Sequence, residues 1–281
     1  MNNSYNGDYV INGRDFVDSI DENTISKFDI PKNIVFFYND IKLVPNKVFD
    51  NWKELNPDYK LIFFDFKDSA YFFEKKLGLE YKTHFNKITY APHKSDFFRL
   101  CFLYVYGGIY SDIDNVPLNS INDFYKPFND VKFCTSLALD NNSFAQALIC
   151  STRNNLYLDK CIKEFVSRLE TLKEMEQYKL NYSGAYLTGT VIMYNAIRNL
   201  LIERKETCDI IRAHTEYVVY EDIDNIRFAN KMVLLDEYTP NSLWQNAYMR
   251  TGYDTVIKCR YEDYPWFGHD RNPDTGYETN Y

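Results

Sequence analysis

The chain has 281 residues, of which 45% are hydrophobic and 26% charged, an ordinary globular balance with length for one α/β domain or two small ones. Its formal net charge of −8, with no basic stripe, argues against nucleic acid as a partner, and no apolar run approaches the roughly 18 residues a membrane span needs. Cysteines at 101, 134, 150, 161, 208 and 259 form no C-x-x-C pair and read as free thiols, so neither zinc nor a disulfide framework is needed to explain them.

Residues 1–29 are polar and acidic, unlike a secretory leader, and form a lead with one short helix around Arg14 to Ile20. The fold proper starts at Pro31. Asn33 to Tyr38 is an apolar run of strand length, and Pro45 to Leu55 carries helical spacing through Val48, Trp52 and Leu55. Tyr59 to Phe64 reads as a second strand, and Ser69 to Leu77 as a helix capped by Asp68. This βαβα order implies parallel strands with a ligand beyond their C-terminal ends, where Tyr38, Asn39 and Asp65 fall. Asp65 is there either as a nucleotide contact or as a turn carboxylate without a ligand.

The stretch from Ser95 to Asp114 is the most informative. Ser95 reads as an N-cap for a helix running to Tyr106, with Asp96 and Arg99 sharing one face of its first turn. Asp96 to Tyr106 rises roughly 16 Å, and after a Gly107-Gly108 reversal the strand Gly108 to Asp112 returns about 16 Å. Asp112 thereby comes level with Asp96 and Arg99. In an extended strand Asp112 and Asp114 point to one side and Ile113 to the core. Two carboxylates about 6 Å apart repel by about 3 kcal/mol at an effective dielectric near 20, which invites a divalent cation or an arginine. Hard oxygen donors favour magnesium or manganese, whose remaining positions suit substrate phosphates. The Asp-x-Asp tripeptide alone means little; Asp222-Ile223-Asp224, lacking any comparable lead-in, reads as a solvated loop.

Beyond the motif, Val116 to Leu118 leaves the site, Val131 to Leu139 and Ser143 to Cys150 read as strands, and Leu156 to Leu169 as an amphipathic helix. Tyr182 to Thr190 is a small-residue turn, either a plain helix start capped by Thr188 or a place where backbone amides hold a sugar. Tyr264 to Arg271 combines aromatics and polar groups, with Gly268 as a hinge for a closing flap. His93 precedes the motif helix, while His84 and His214 show no metal-ligand spacing; none of the three is assigned a role.

Ser95-Asp96-x-x-Arg99 followed by Leu103-x-x-x-Gly107-Gly108-Ile109-Tyr110-x-Asp112-x-Asp114 resembles the DXD-containing sugar-binding region of glycosyltransferase family 32 and the related clostridial toxin glucosyltransferases. Ile30 to Tyr38 is similar to that family's opening strand, and Asn56-Pro57-x-Tyr59 through Phe64-Asp65 to its second, so the likeness runs from Ile30 to Leu118. It implies an α/β fold of GT-A type, with a Rossmann-like, mostly parallel central sheet flanked by helices. Residues 30–281 would form one domain, with 30–118 its nucleotide-sugar half and 119–281 its acceptor half and flap.

The implied activity is retaining, manganese-dependent transfer (magnesium also serving) from a UDP- or GDP-sugar to a glycan or other hydroxyl acceptor, as in polysaccharide biosynthesis. Asp114 would ligate the metal directly. Asp112 would contact the ribose and sugar, and the metal through water, while Asp96 and Arg99 hold the sugar. Tyr38 stands where the family usually stacks a tryptophan on the base. His269 and Trp266 are candidates to complete the metal shell and to cover the diphosphate, against plain loop packing. Some relatives are membrane-anchored, so the chain reads as a cytoplasmic catalyst or as one trimmed of an anchor. Two rivals are a non-catalytic sugar-nucleotide-binding module of the same fold and a sugar-1-phosphate nucleotidyltransferase. The second normally carries a glycine-rich loop after its first strand, and Tyr38-Asn39-Asp40-Ile41-Lys42 has no glycine.

Overall fold

The computed structural model describes residues 8–88, 91–117, 120–122, 132–137, 144–171, 189, 192–197, 199, 211–213, 232–236 and 257–258. In chain order its elements are β1 (Val10–Asn12), α1 (Gly13–Ser19), β2 (Asn33–Phe37), α2 (Asn46–Leu55), β3 (Lys60–Phe64), α3 (Phe66–Phe72), α4 (Leu79–Lys87) and α5 (Ala91–Tyr106). They continue with β4 (Gly108–Ser111), β5 (Val116–Pro117), β6 (Phe133–Leu137), β7 (Phe144–Ser151), α6 (Leu156–Thr171), β8 (Ile211–Ala213), β9 (Met232–Asp236) and β10 (Ile257–Lys258). Among the described residues no helix is long and apolar enough to cross a membrane.

Eight strands form one sheet in the order β1-β3-β2-β4-β7-β6-β9-β8. All neighbours are parallel except β4 with β7 and β7 with β6, so β7 alone runs against the rest. The fold is therefore α/β with a mostly parallel sheet, as expected from the βαβα order. The lead contributes to it, since β1 pairs with β3 through Val10 opposite Leu61.

Central strands covered on both faces read as near-continuous apolar runs, and β2 has all five residues buried, the four after Asn33 apolar. Alternation then sorts them. Ile34, Phe36, Leu61 and Phe63 meet Val48, Phe49 and Trp52 of α2 on one face. Val35, Phe37, Ile62 and Phe64 meet α1, α3, α4 and α5 on the other. Much of the aromatic excess lies here, with Phe64 in ring contact with Phe98 at 4.9 Å and Phe102 at 5.5 Å. Large core residues explain those rings without any ligand.

Three local expectations are corrected. Helix α3 starts at Phe66, not Ser69, because Asp65 rather than Asp68 is the cap, its Oδ1 accepting the Asp68 N–H at 2.7 Å. Asp68 lies one turn inside, where it accepts from Asn12 Nδ2 at 2.7 Å and ties the lead to α3. Helix α5 starts at Ala91, a turn before Ser95, because Pro92 is tolerated in a first turn, where its missing N–H has no helical partner to lose. Finally, β4 stops at Ser111, so Asp112 and Asp114 stand in a turn closed by Asn115 N–H to Asp112 O at 3.2 Å, not in an extended strand. Asn115 Nδ2 pins that turn to Ser111 Oγ at 3.0 Å and Ala147 O at 2.8 Å, and Trp52 Nε1 donates to Asn115 O at 3.2 Å. Ile113 still faces the core, 6% exposed.

Candidate active site

Parallel strands β3, β2 and β4 lie side by side and end in Phe64, Phe37 and Ser111, so Asp65, Tyr38 and Asp112 emerge along one sheet edge. Tyr38 is locked at that edge by its N–H to Phe64 O at 3.1 Å. The loops at such an edge hold ligands in open α/β sheets.

Helix α5 returns to the same edge through the reversal at Gly107 (φ 68°) and Gly108 (φ 105°). A Cβ on Gly107 would sit 2.7 Å from Arg153 N, and one on Gly108 2.8 Å from Asn33 O, so both the backbone angles and the space require glycine. This close turn is what brings the first half of α5 over the end of β4.

Arg99 is the centre of the resulting cluster and is only 5% exposed. Its Nη2 lies 3.1 Å from Asp96 Oδ1 and donates to Ser95 Oγ at 2.9 Å. Its Nη1 lies 3.3 Å from Asp112 Oδ1 and donates to Gln146 O at 2.6 Å, while Nε donates to Ser95 O at 3.2 Å. The guanidinium also stacks over the Tyr110 ring, 4.4 Å from its centroid. One buried cation thus serves two carboxylates, the arrangement that makes burial of charge tolerable.

Tyr110 completes the network. Its O–H donates to Asp112 Oδ1 at 2.7 Å, so the Ser95 hydroxyl, 2.7 Å away, donates to Tyr110. Burial pushes the Tyr110 hydroxyl well above its ordinary pKa despite the opposing pull of Arg99, so it stays protonated and acts as a fixed donor. Asp112 Oδ1 therefore has two partners. Its Oδ2 has none among the described residues, and the side chain is 32% exposed. Asp96 keeps a second, longer neighbour in His93 Nδ1, 3.8 Å from its Oδ2.

Asp96, Arg99 and Asp112 converge as expected. Asp114 follows in the same turn, partly exposed. Tyr38 and Asp65 share the edge, with one Asp65 oxygen engaged in capping α3. Trp266 and His269 lie outside the described residues, as do Thr188, Thr190, Cys208, Cys259 and Asp222 to Asp224. Sequence reasoning missed Ser95 and Tyr110 as polar members and the Gln146 carbonyl, which reaches Arg99 from 47 positions away. Tyr110 carried a usable signal: it stands two before Asp112, on the same side of a strand. His93 carried another, three before Asp96 on a helix. A backbone acceptor from β7 carried none.

For a divalent ion, the Asp112 Oδ2 and the Asp114 carboxylate are hard oxygen donors on one turn, a set that fits magnesium or manganese completed by water and phosphate oxygens.

The site is an acid–base cluster at the C-terminal edge of a mostly parallel α/β sheet. Residues 44–131 match the family model described as the glycosyltransferase sugar-binding region containing DXD motif, and all four charged positions fall inside that stretch. Among solved structures, the PaToxG glycosyltransferase is 17% identical with a TM-score of 0.43, over 62% of this chain and 70% of that one. The ligand-free glycosyltransferase domain of the YGT toxin is 12% identical with a TM-score of 0.43, over 63% of this chain and 79% of that one. The catalytic domain of alpha-toxin from Clostridium novyi is 13% identical with a TM-score of 0.33, over 63% of this chain and 64% of that one. Among curated proteins, no sequence matches this chain.

Proposed function

We propose that the protein is a retaining glycosyltransferase that moves a sugar from a UDP- or GDP-sugar to a hydroxyl of a glycan or other acceptor, with manganese or magnesium bound. The observation that carries this reading is the Asp96–Arg99–Asp112 cluster at the strand ends, lying within a stretch that matches a sugar-binding region.

In this reading Asp96 and Asp112 accept bonds from donor hydroxyls, and Arg99, fixed from five directions, keeps both carboxylates aimed. Tyr38 stacks on the base and Asp65 contacts the nucleotide. Asp114, with Asp112 and His269, would hold the metal, which when bound would offset charge on the departing diphosphate. Trp266 would cover that diphosphate and exclude water. In keeping with the family resemblance, the acceptor hydroxyl attacks the anomeric carbon on the face the diphosphate leaves, the bond to the diphosphate breaking and the departing diphosphate taking the acceptor's proton, which retains the anomeric configuration. We place the reaction in the cytoplasm, in keeping with the free, buried thiols of Cys101, Cys150 and Cys161.

The test is nucleoside diphosphate release from a panel of UDP- and GDP-sugars, with manganese or with chelator, followed by proton NMR of the released sugar. Slow metal-dependent release from one donor, with the first-formed anomer matching the donor's, is the expected result. Tight donor binding with no release in the presence of diverse acceptors would instead mark a binding module.

A further inference from the structure

Away from this cluster, α4 and the last turn of α6 bring together Glu80, His84 and Glu170. Glu80 and His84 stand four apart and share one face of α4. His84 Nε2 lies 3.9 Å from Glu80 Oε1 and 3.9 Å from Glu170 Oε1, and one ligand atom from each residue lies within 4.8 Å of the others. The His84 side chain is 11% exposed; its Nε2 is sealed from solvent and takes no hydrogen bond among the described residues. The Tyr81 ring stands edge-on to the imidazole at 6.4 Å.

Burying a polar nitrogen without a partner is unfavourable, and carboxylate oxygens 3.9 Å away are too distant to satisfy it by hydrogen bonding. A cation between the three would satisfy the nitrogen and both carboxylates together. We propose that Glu80, His84 and Glu170 form a zinc site that pins α4 to the end of α6. The imidazole selects a transition metal over magnesium or calcium, and two carboxylates with a water complete a four-coordinate set. Ligands around such an ion, with bonds of about 2.1 Å, stand about 3.4 Å apart, so each His84 contact must close by about half an ångström and the two glutamates, within 4.8 Å of each other, by up to about 1.4 Å. The glutamates, 76% and 58% exposed, have the rotamer freedom to do so. The site is separate from the motif carboxylates and braces the helix that leads into α5, which carries Asp96 and Arg99.

The test uses the metal-stripped full chain with Asp114→Asn, which removes the motif's metal carboxylate from the readout. Zinc is titrated in competition with a chromophoric chelator, and cobalt is added separately for its visible absorption. The expected result is one zinc per chain, bound at least tenfold more weakly in His84→Gln and in Glu170→Gln, with the cobalt band lost in both. Equal zinc affinity in the parent and both variants, or no zinc bound by the parent, overturns the proposal. Should His84→Gln not fold, Glu170→Gln, at a largely exposed position, decides alone: an unchanged affinity overturns it.

Discussion

At the residue scale the cluster turns on one buried guanidinium and one buried phenol. Arg99→Lys keeps the charge but cannot reach Asp96, Asp112, Ser95 and the Gln146 carbonyl at once, because a lysine offers a point charge where the site uses a planar fork. The expected outcome is a fall in kcat/KM of about 100-fold or more, since each charge-assisted bond lost is worth about 1.5–3 kcal/mol. Steady-state kinetics with circular dichroism as a folding control measures it. Tyr110→Phe removes only the hydroxyl, leaving the ring under Arg99, and should cost about tenfold in kcat/KM with the fold intact. A Tyr110→Phe enzyme with wild-type kinetics would mean that the phenol does not position Asp112.

Lys94 gives a residue-level test of stability against pH. Burial pulls its pKa down from 10.5 to about 8, and its Nζ donates to Phe85 O at 2.7 Å beside the Phe85 ring. The folded state binds this proton less tightly than the unfolded state does, so the lysine disfavours folding most below pH 8, and that cost fades as pH rises from about 8 towards 10.5. Urea unfolding of wild type and Lys94→Met should therefore show wild-type stability improving relative to the variant across that interval. A difference independent of pH would contradict the burial account.

At the element scale, the Gly107-Gly108 reversal sets how far α5 overlaps β4. Gly108→Ala places a Cβ 2.8 Å from Asn33 O at φ 105°, a backbone contact that no side-chain rotation relieves. The expected destabilisation is about 2–4 kcal/mol by urea unfolding, with activity lost in the folded fraction too because α5 and β4 no longer register. The same stretch shows what was legible. Spacing alone brought Asp96, Arg99 and Asp112 to one level, because helix rise and strand rise are fixed quantities. It placed Asp112 and Asp114 in a strand, however, because what ends β4 is long-range: Asn115 bonding to Ala147 O, and Trp52 to Asn115 O. Local pattern likewise points to Asp68 as the cap of α3, since its tie to Asn12 of the lead is not a local feature.

At the scale of the molecule, periodicity identified β2, β3, β6, β7 and α6 nearly at their observed positions, because a doubly covered sheet requires apolar runs. It could not place β7 between β4 and β6, which depends on pairing across non-local distances such as Tyr110 with Ile149. Yet that placement is what supplies the Gln146 carbonyl to Arg99, so the site draws on the helix, the motif turn and a strand from the following half. A ligand that engages all three should stabilise the whole fold rather than one loop. At a donor nucleotide concentration of 100 times its Kd, with manganese, the expected gain is about 2.7 kcal/mol, or about 5–10 °C in Tm. Differential scanning fluorimetry with UDP and GDP, each with manganese and with chelator, measures it, and the metal-dependent part should vanish in Asp114→Ala. If nucleotide raised Tm equally with manganese and with chelator, the motif turn would be a donor contact without a metal, and Asp114 would lose its assigned role while Arg99 kept its own.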